Sequence, residues 1–206
     1  MNKKAKGRLF VISAPSGAGK SSLINYLTET FDNVELSISA TTRLPRDGEE
    51  DGKHYFFMSD EEFNSLKEDE HAFIENAVVH EHQYGTPRSY IEYRVNHGIN
   101  IILDIDVQGF QQIQNAGIEN TSIFIIPPSF KELRSRLIKR GLDSEEVIET
   151  RLNNALTELE SAKDFDYNIL NDNFDLACKA ISSIVIDGDM PSHDNKNEKI
   201  LRDLLS

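Results

Sequence analysis

The stretch SAPSGAGKSSL, Ser13–Leu23, decides how the chain folds. It begins at the end of LFVIS (9–13), a short apolar run that stops at a Pro/Gly segment and reads as a buried strand. It continues into KSSLINYLTETF, where Leu23, Leu27 and Phe31 recur at the spacing of one helix face. A strand, a glycine-rich loop and a helix form the context that a phosphate-binding loop needs. Gly17, Gly19, Lys20 and Ser21 stand in register with G-x-x-x-x-G-K-[ST], but Ala14 holds the place of the first glycine. Ala14 precedes Pro15, and a residue before proline is driven to extended backbone with negative φ, where glycine has no steric advantage. A positive φ at Ala14 would contradict this explanation. The dinucleotide pattern G-x-G-x-x-G fails here, because its third glycine place is Ser22.

Such a loop has a defined chemistry. Its backbone N–H groups face a phosphate and the helix N-terminus adds positive potential. Lys20 supplies a point charge to the β- and γ-phosphates, and the Ser21 hydroxyl a ligand for Mg²⁺. The alternative is a glycine-rich turn that holds nothing. The run INIILDID (99–106) reads as a parallel strand covered on both faces, with Asp104 at its C-terminal end. Asp104 could orient Mg²⁺ and its waters; Asp106 shares its face if the strand continues. Without the loop, both would read as acids in solvent beyond a strand end.

Strands alternate with helices along most of the chain, which predicts an α/β fold with a mostly parallel sheet and helices on both faces. The expected strands include 34–40, 121–128 and 167–171. A helix pair breaks around Gly141 within 129–165, and two more helices follow 171. The segment from about 35 to 95 departs from the rhythm. It is polar and strand-rich, and contains HYFFM, a helix capped by Ser59 with Glu62 three residues on, and a turn in QYGTP before a helix ending at Gly98.

The arginines are grouped. Arg136 and Arg140 lie four apart on one helix face, and Arg151 follows on the next helix. They could close over a transferring phosphoryl group, or form a solvated face paired with Glu132, Glu145 and Glu149; spacing does not decide. Arg43 and Arg46 sit in a loop after a strand, close enough to grip one anion. Tyr55 and Tyr84, each beside a turn, could add hydroxyls to it.

Seven ordered stretches carry a resemblance to a known family: VISAPSGAGKSSL, SISATTRLPRDGEEDGKHYFF, FIENAVVHEHQYGTPRS, ILDIDVQG, IFIIPPS, RLIKRGLDSEEVIETRL and YNILND. Together they resemble guanylate kinases of the bacterial, cytosolic type, from about Gly7 to the last helix. The resemblance implies a single domain over 1–206 of the phosphate-loop NTPase type. Its core would be 7–37, 98–128 and 161–206, its GMP-binding excursion 38–97 and its helical lid 129–160. The implied reaction is reversible transfer from ATP to GMP, giving ADP and GDP, with Mg²⁺; dGMP would be a second acceptor. The implied ATP site is Ala14, Pro15, Ser16, Gly17, Ala18, Gly19, Lys20, Ser21 and Ser22, with Asn171 near the adenine. Arg43, Arg46, Tyr55 and Tyr84 would hold the GMP phosphate, while Ser39, Glu75, Thr86 and Asp106 read the guanine. Lys20, Arg136, Arg140 and Arg151 would act on the transferred group, and Ser21 with Asp104 would serve the metal. Two rivals remain: a non-catalytic binding module of the same fold, and a kinase for another nucleoside monophosphate.

Composition sets the outer bounds. The 206 residues carry a net charge of −13, which disfavours non-specific binding to nucleic acid or an anionic membrane. No apolar run approaches the ~20 residues that span a bilayer. The start MNKKAKGRLFVIS lacks the apolar stretch of a signal peptide. The single cysteine, Cys178, lies in an apolar-periodic stretch and reads as a core residue. All of this suits a reducing cytosol. The sequence leaves the oligomeric state open.

Overall fold

The computed structural model describes residues 5–79, 81–141, 144–188 and 195–205, with the side chains of Arg140 and 195–198 outside that description. The chain divides into two compact units, one of residues 1–9 with 33–120 and the other of 10–32 with 121–206. The strand β1 (Leu9–Ser13) carries the chain from one into the other.

In the second unit, β1 pairs in parallel with β8 (Thr121–Ile126), and β8 with β9 (Tyr167–Leu170). β1 is buried at every position, and β8 at all but its first. These are the β-branched and aromatic runs expected of a sheet covered on both faces. Helix α1 (Lys20–Thr30) packs on α7 (Phe174–Ser182), burying Leu23, Ile24 and Leu27. Cys178 lies in the buried face of α7. Helices α5 (Phe130–Arg140) and α6 (Glu145–Glu160) pack together, and Gly141 ends the first with φ of 66°. α8 (Asn195–Leu205) packs on α6 and β9.

The first unit holds two sheets' worth of strands. β2 (Val34–Leu36) pairs in parallel with β7 (Asn100–Asp104), and the Arg8 carbonyl accepts from Ile101 N at 2.9 Å. The second is a four-stranded sheet of β3 (Ala40–Thr41), β4 (Phe56–Phe57), β5 (Phe73–Val79) and β6 (His82–Pro87), in the order β4-β3-β6-β5. The run 34–40 is therefore not one strand: after Leu36 the chain leaves the β7 pairing and re-pairs at Ala40. QYGTP, read as a turn, lies wholly in strand β6; its proline sits at the strand end, where the missing N–H costs no internal ladder bond.

Helix α2 (Asp60–Lys67) starts with the expected capping box, in which Ser59 and Glu62 each bond the other's backbone N–H. It drops Phe63 onto Phe73, the rings stacked at 4.6 Å and 18°. α3 (Arg88–Asn96) packs on β7, and α4 (Val107–Asn115) on β5. Among the described residues, no helix is long and apolar enough to cross a membrane.

The Phe63–Phe73 stack yields a test of packing. A Cβ on Gly85 of β6 would lie 2.8 Å from Phe73 Cδ1 and 3.1 Å from Phe63 Cζ. Gly85→Ala should therefore destabilise the protein by ~1–3 kcal/mol through overpacking. A thermal midpoint within one degree of the native protein's, on the order of the measurement error, would contradict it.

Candidate functional site

The glycine loop lies in the second unit, between β1 and α1. Ala18 N donates to the Pro15 carbonyl at 3.0 Å, closing a turn. Gly17 and Gly19 have φ of 92° and 97°, a region that side chains rarely adopt, so both glycines are required by the backbone path. Among the described residues, Glu81 is the one non-glycine with positive φ, so φ at Ala14 is negative as its proline neighbour demands. Gly19 caps α1 without a side-chain bond, and the first turn carries no acid. The helix therefore opens with N–H groups and positive potential directed at whatever occupies the loop. Lys20 is half-buried at its first position, while Ser21 and Ser22 are exposed.

Two predicted arginines reach this loop. Arg151 Nη1 donates to Ser16 Oγ at 2.9 Å. Arg136 Nη1 donates to the Ala18 carbonyl at 3.3 Å, and Nη2 to the Asn171 carbonyl at 3.1 Å, while Nε takes Glu132 at 3.0 Å. Of the three acids considered as partners, Glu132 pairs with Arg136. Glu145 and Glu149 pair with Arg134. The Arg140 side chain lies outside the described residues. Asn171 follows β9, is 5% exposed, and donates from Nδ2 to the Ala18 carbonyl at 2.7 Å.

The first unit assembles a different constellation. The β5–β6 register slips by one residue between Phe73 and Asn76, which breaks the alternation of β5 and leaves Phe73, Ile74 and Glu75 all buried. Glu75 is 8% exposed, and Thr86 Oγ1 donates to its Oε1 at 2.6 Å. α4 is fixed on β5 by Gln112, which exchanges bonds with the Asn76 backbone at 3.1 and 2.9 Å. That packing brings the helix N-terminus, with Asp106 as its cap, near Glu75. Asp106 Oδ1 accepts from Gln108 N at 3.0 Å and Gly109 N at 2.9 Å, so its strand face is not shared with Asp104: β7 has already ended. Asp104 is exposed at the strand's last position. Burial, first, and the nearby Asp106 charge push the Glu75 carboxyl above its ordinary value, against the hydrogen bond from Thr86.

Arg43, Tyr55 and Tyr84 also meet. The tyrosine rings are 6.1 Å apart, and the Arg43 guanidinium carbon is 5.3 Å from the Tyr55 ring centre. Tyr84 lies on β6 rather than beside a turn. Ser39 is half-buried between β2 and β3, its carbonyl accepting from Phe56 N at 2.9 Å.

Sequence reasoning passed over Glu49. It accepts from Arg43 Nη1 and Nη2, both at 2.9 Å, and from Arg46 N at 2.8 Å. The Arg43 guanidinium, then the Arg46 N–H, hold its carboxyl down at about 2. Glu49 thus fixes the plane of Arg43 and folds the loop around it. An acid three residues after Arg46 in an otherwise polar loop was the available signal, and one acid among several there gave no reason to choose it.

The buried carboxyl of Glu75 has a pH signature. Its folded-state value lies above the unfolded value near 4.5, so the folded protein binds this proton more tightly than the unfolded chain. Stability is lost as pH rises from 4.5 through the raised value, and the loss persists above it. Glu75→Gln should therefore melt higher than the native protein at pH 7.5, with the gap closing toward pH 4.5. A variant that melts lower at pH 7.5 would contradict the assignment.

The comparisons with known proteins agree on one family. The family model described as guanylate kinase matches residues 6–187. A guanylate kinase of a Polaromonas species is 50% identical over 179 residues, covering 87% of this chain and 86% of that protein. One from Blochmanniella floridana is 43% identical over 208 residues, covering 99% of both. The crystal structure of guanylate kinase from Anaplasma phagocytophilum superposes with a TM-score of 0.65 at 32% identity, covering 97% of this chain and 96% of that one, and shares its mixed α/β fold with a helix-flanked parallel sheet. With the glycine loop in one unit and the buried carboxylate beside Thr86 in the other, this chain belongs to the guanylate kinase family.

Proposed function

We propose that the protein transfers the γ-phosphoryl group of ATP to GMP, reversibly, giving ADP and GDP, with dGMP as a second acceptor. The observation that carries the choice of base is Glu75, a carboxylate buried where β5 slips its register against β6. Guanine offers N1–H and N2–H₂ donors, which one carboxylate accepts together. Adenine presents an acceptor at N1 and would meet Glu75 with repulsion. Thr86 already donates its proton to Glu75, so its oxygen is left to accept, as suits an amino group. Asp106 adds acceptor capacity, and Ser39 a hydroxyl. Arg43, held in plane by Glu49, would grip the acceptor phosphate with Arg46, Tyr55 and Tyr84.

In this reading residues 38–97 bind GMP and 129–160 form the lid. The loop Ala14–Ser22 holds the ATP phosphates. The GMP phosphate is an anionic nucleophile already, so no general base is required; positioning and charge neutralisation carry the reaction. Lys20 and the lid arginines Arg136, Arg140 and Arg151 would stabilise the equatorial oxygens, and closure would keep water from receiving the phosphoryl group. The Ser21 hydroxyl and the Asp104 carboxylate are hard oxygen donors of the kind Mg²⁺ takes. Mg²⁺ usually takes one or two protein oxygens together with substrate phosphates, as these two residues would allow. When bound, Mg²⁺ would offset charge on the β- and γ-oxygens. The reading places the protein in the cytoplasm, in purine nucleotide metabolism.

Purified protein with ATP should phosphorylate GMP and leave AMP, CMP, UMP and dTMP essentially unused. Faster turnover of another base would move the assignment to a different monophosphate kinase, and no turnover at all would favour a binding module. Two variants separate the roles. Lys20→Ala should lower kcat by roughly a hundredfold or more; an active variant would remove Lys20 from the mechanism. Glu75→Gln should lower kcat/KM for GMP by roughly a hundredfold or more while leaving ATP binding intact. Equal loss toward both nucleotides would point to damaged folding instead.

A further inference from the structure

Asn171 does more in the second unit than its place beside a nucleotide loop would suggest. Its backbone N–H donates to the Ile126 carbonyl at 2.8 Å, which ties it to the end of β8. Its side-chain amide donates to the Ala18 carbonyl at 2.7 Å, a buried bond that joins residues 153 apart in the chain. Its own carbonyl accepts from Arg136, whose other terminal nitrogen shares the Ala18 carbonyl. A Cβ on Gly19 would collide with the Asn171 amide nitrogen, so the loop and this side chain are fitted to one another.

The Ala18 carbonyl belongs to the same peptide plane as the Gly19 N–H. Among the described residues every peptide bond is trans, and in a trans peptide the C=O and N–H point in opposite directions. Two donors drawing the carbonyl toward β9 and α5 therefore turn the Gly19 N–H away from them. We propose that Asn171 is a positioning residue for the phosphate loop: its buried amide, together with Arg136, clamps the Ala18 carbonyl and so aims the Gly19 N–H at the bound phosphates. Asn171 then acts through the loop backbone and is blind to the donor's base. This rests on the loop's binding the donor's phosphates, and it departs from a role for Asn171 in reading adenine.

The test compares Asn171→Ala and Asn171→Asp with the native protein in three measurements. These are calorimetric binding of inorganic tripolyphosphate, calorimetric binding of GMP without ATP, and the ratio of kcat/KM for ATP over GTP as donor. Tripolyphosphate affinity should fall about tenfold or more in both variants, because the Ala18 carbonyl loses the shorter of its two hydrogen bonds or meets a carboxylate. GMP affinity should stay within about twofold, and the ATP/GTP ratio should not change. A changed ATP/GTP ratio with unchanged tripolyphosphate affinity would make Asn171 a base reader and overturn the proposal. Equal loss of GMP and tripolyphosphate affinity would make it a general support of the fold and overturn it too. Tripolyphosphate binding requires no turnover of GMP, so the positioning role can fail or hold independently of the acceptor assignment.

Discussion

A buried carboxylate, Glu75, sets the demands on the four-stranded sheet. Glu75 is buried in β5 together with its two predecessors, Phe73 and Ile74, at the point where the register against β6 slips by one residue. Burying an acid is costly unless something bonds it, and Thr86 at 2.6 Å supplies one bond. The proposed function gives the remaining acceptor capacity to the acceptor base. The α4 cap at Asp106 adds a second negative charge nearby, which worsens the burial and sharpens the demand for a partner rich in donors. In the proposed reading guanine answers that demand, and the stability lost in the free protein would be the counterpart of selectivity gained on binding.

The glycine loop follows the opposite strategy. In the proposed reading its binding groups are backbone N–H groups at the start of α1, where Gly19 caps the helix without a side-chain bond. Such a site depends on what holds the backbone from behind. Asn171, Arg136 and Arg151 reach it from positions more than a hundred residues away in sequence. Glu49 plays a comparable part for Arg43, fixing a guanidinium by a bidentate pair. In both places the chemistry is delivered by one group and its direction is set by another.

That division explains what the sequence made legible. LFVIS, the glycine loop and the first helix could be read because each is a local pattern, and the Ser59 capping box could be read because its two partners are three residues apart. Ala14 was legible from Pro15 alone. The split of 34–40 into β2 and β3 was not, because both halves alternate well enough and only their partners differ. β6 was hidden by Gly85 and Pro87, which mark a turn in isolation but here a close ring contact and a strand end. The bulge at Glu75 leaves no local trace, so the residue could be singled out only by resemblance. Glu49 and the clamp by Asn171 are long-range or loop contacts of common residue types, which spacing does not reveal.

Binding by calorimetry without ATP tests the central claim, that a buried carboxylate selects the base. GMP should bind tightly, IMP, which lacks the N2 amino group, about tenfold or more weakly, and AMP weaker still. AMP binding as tightly as GMP would contradict it.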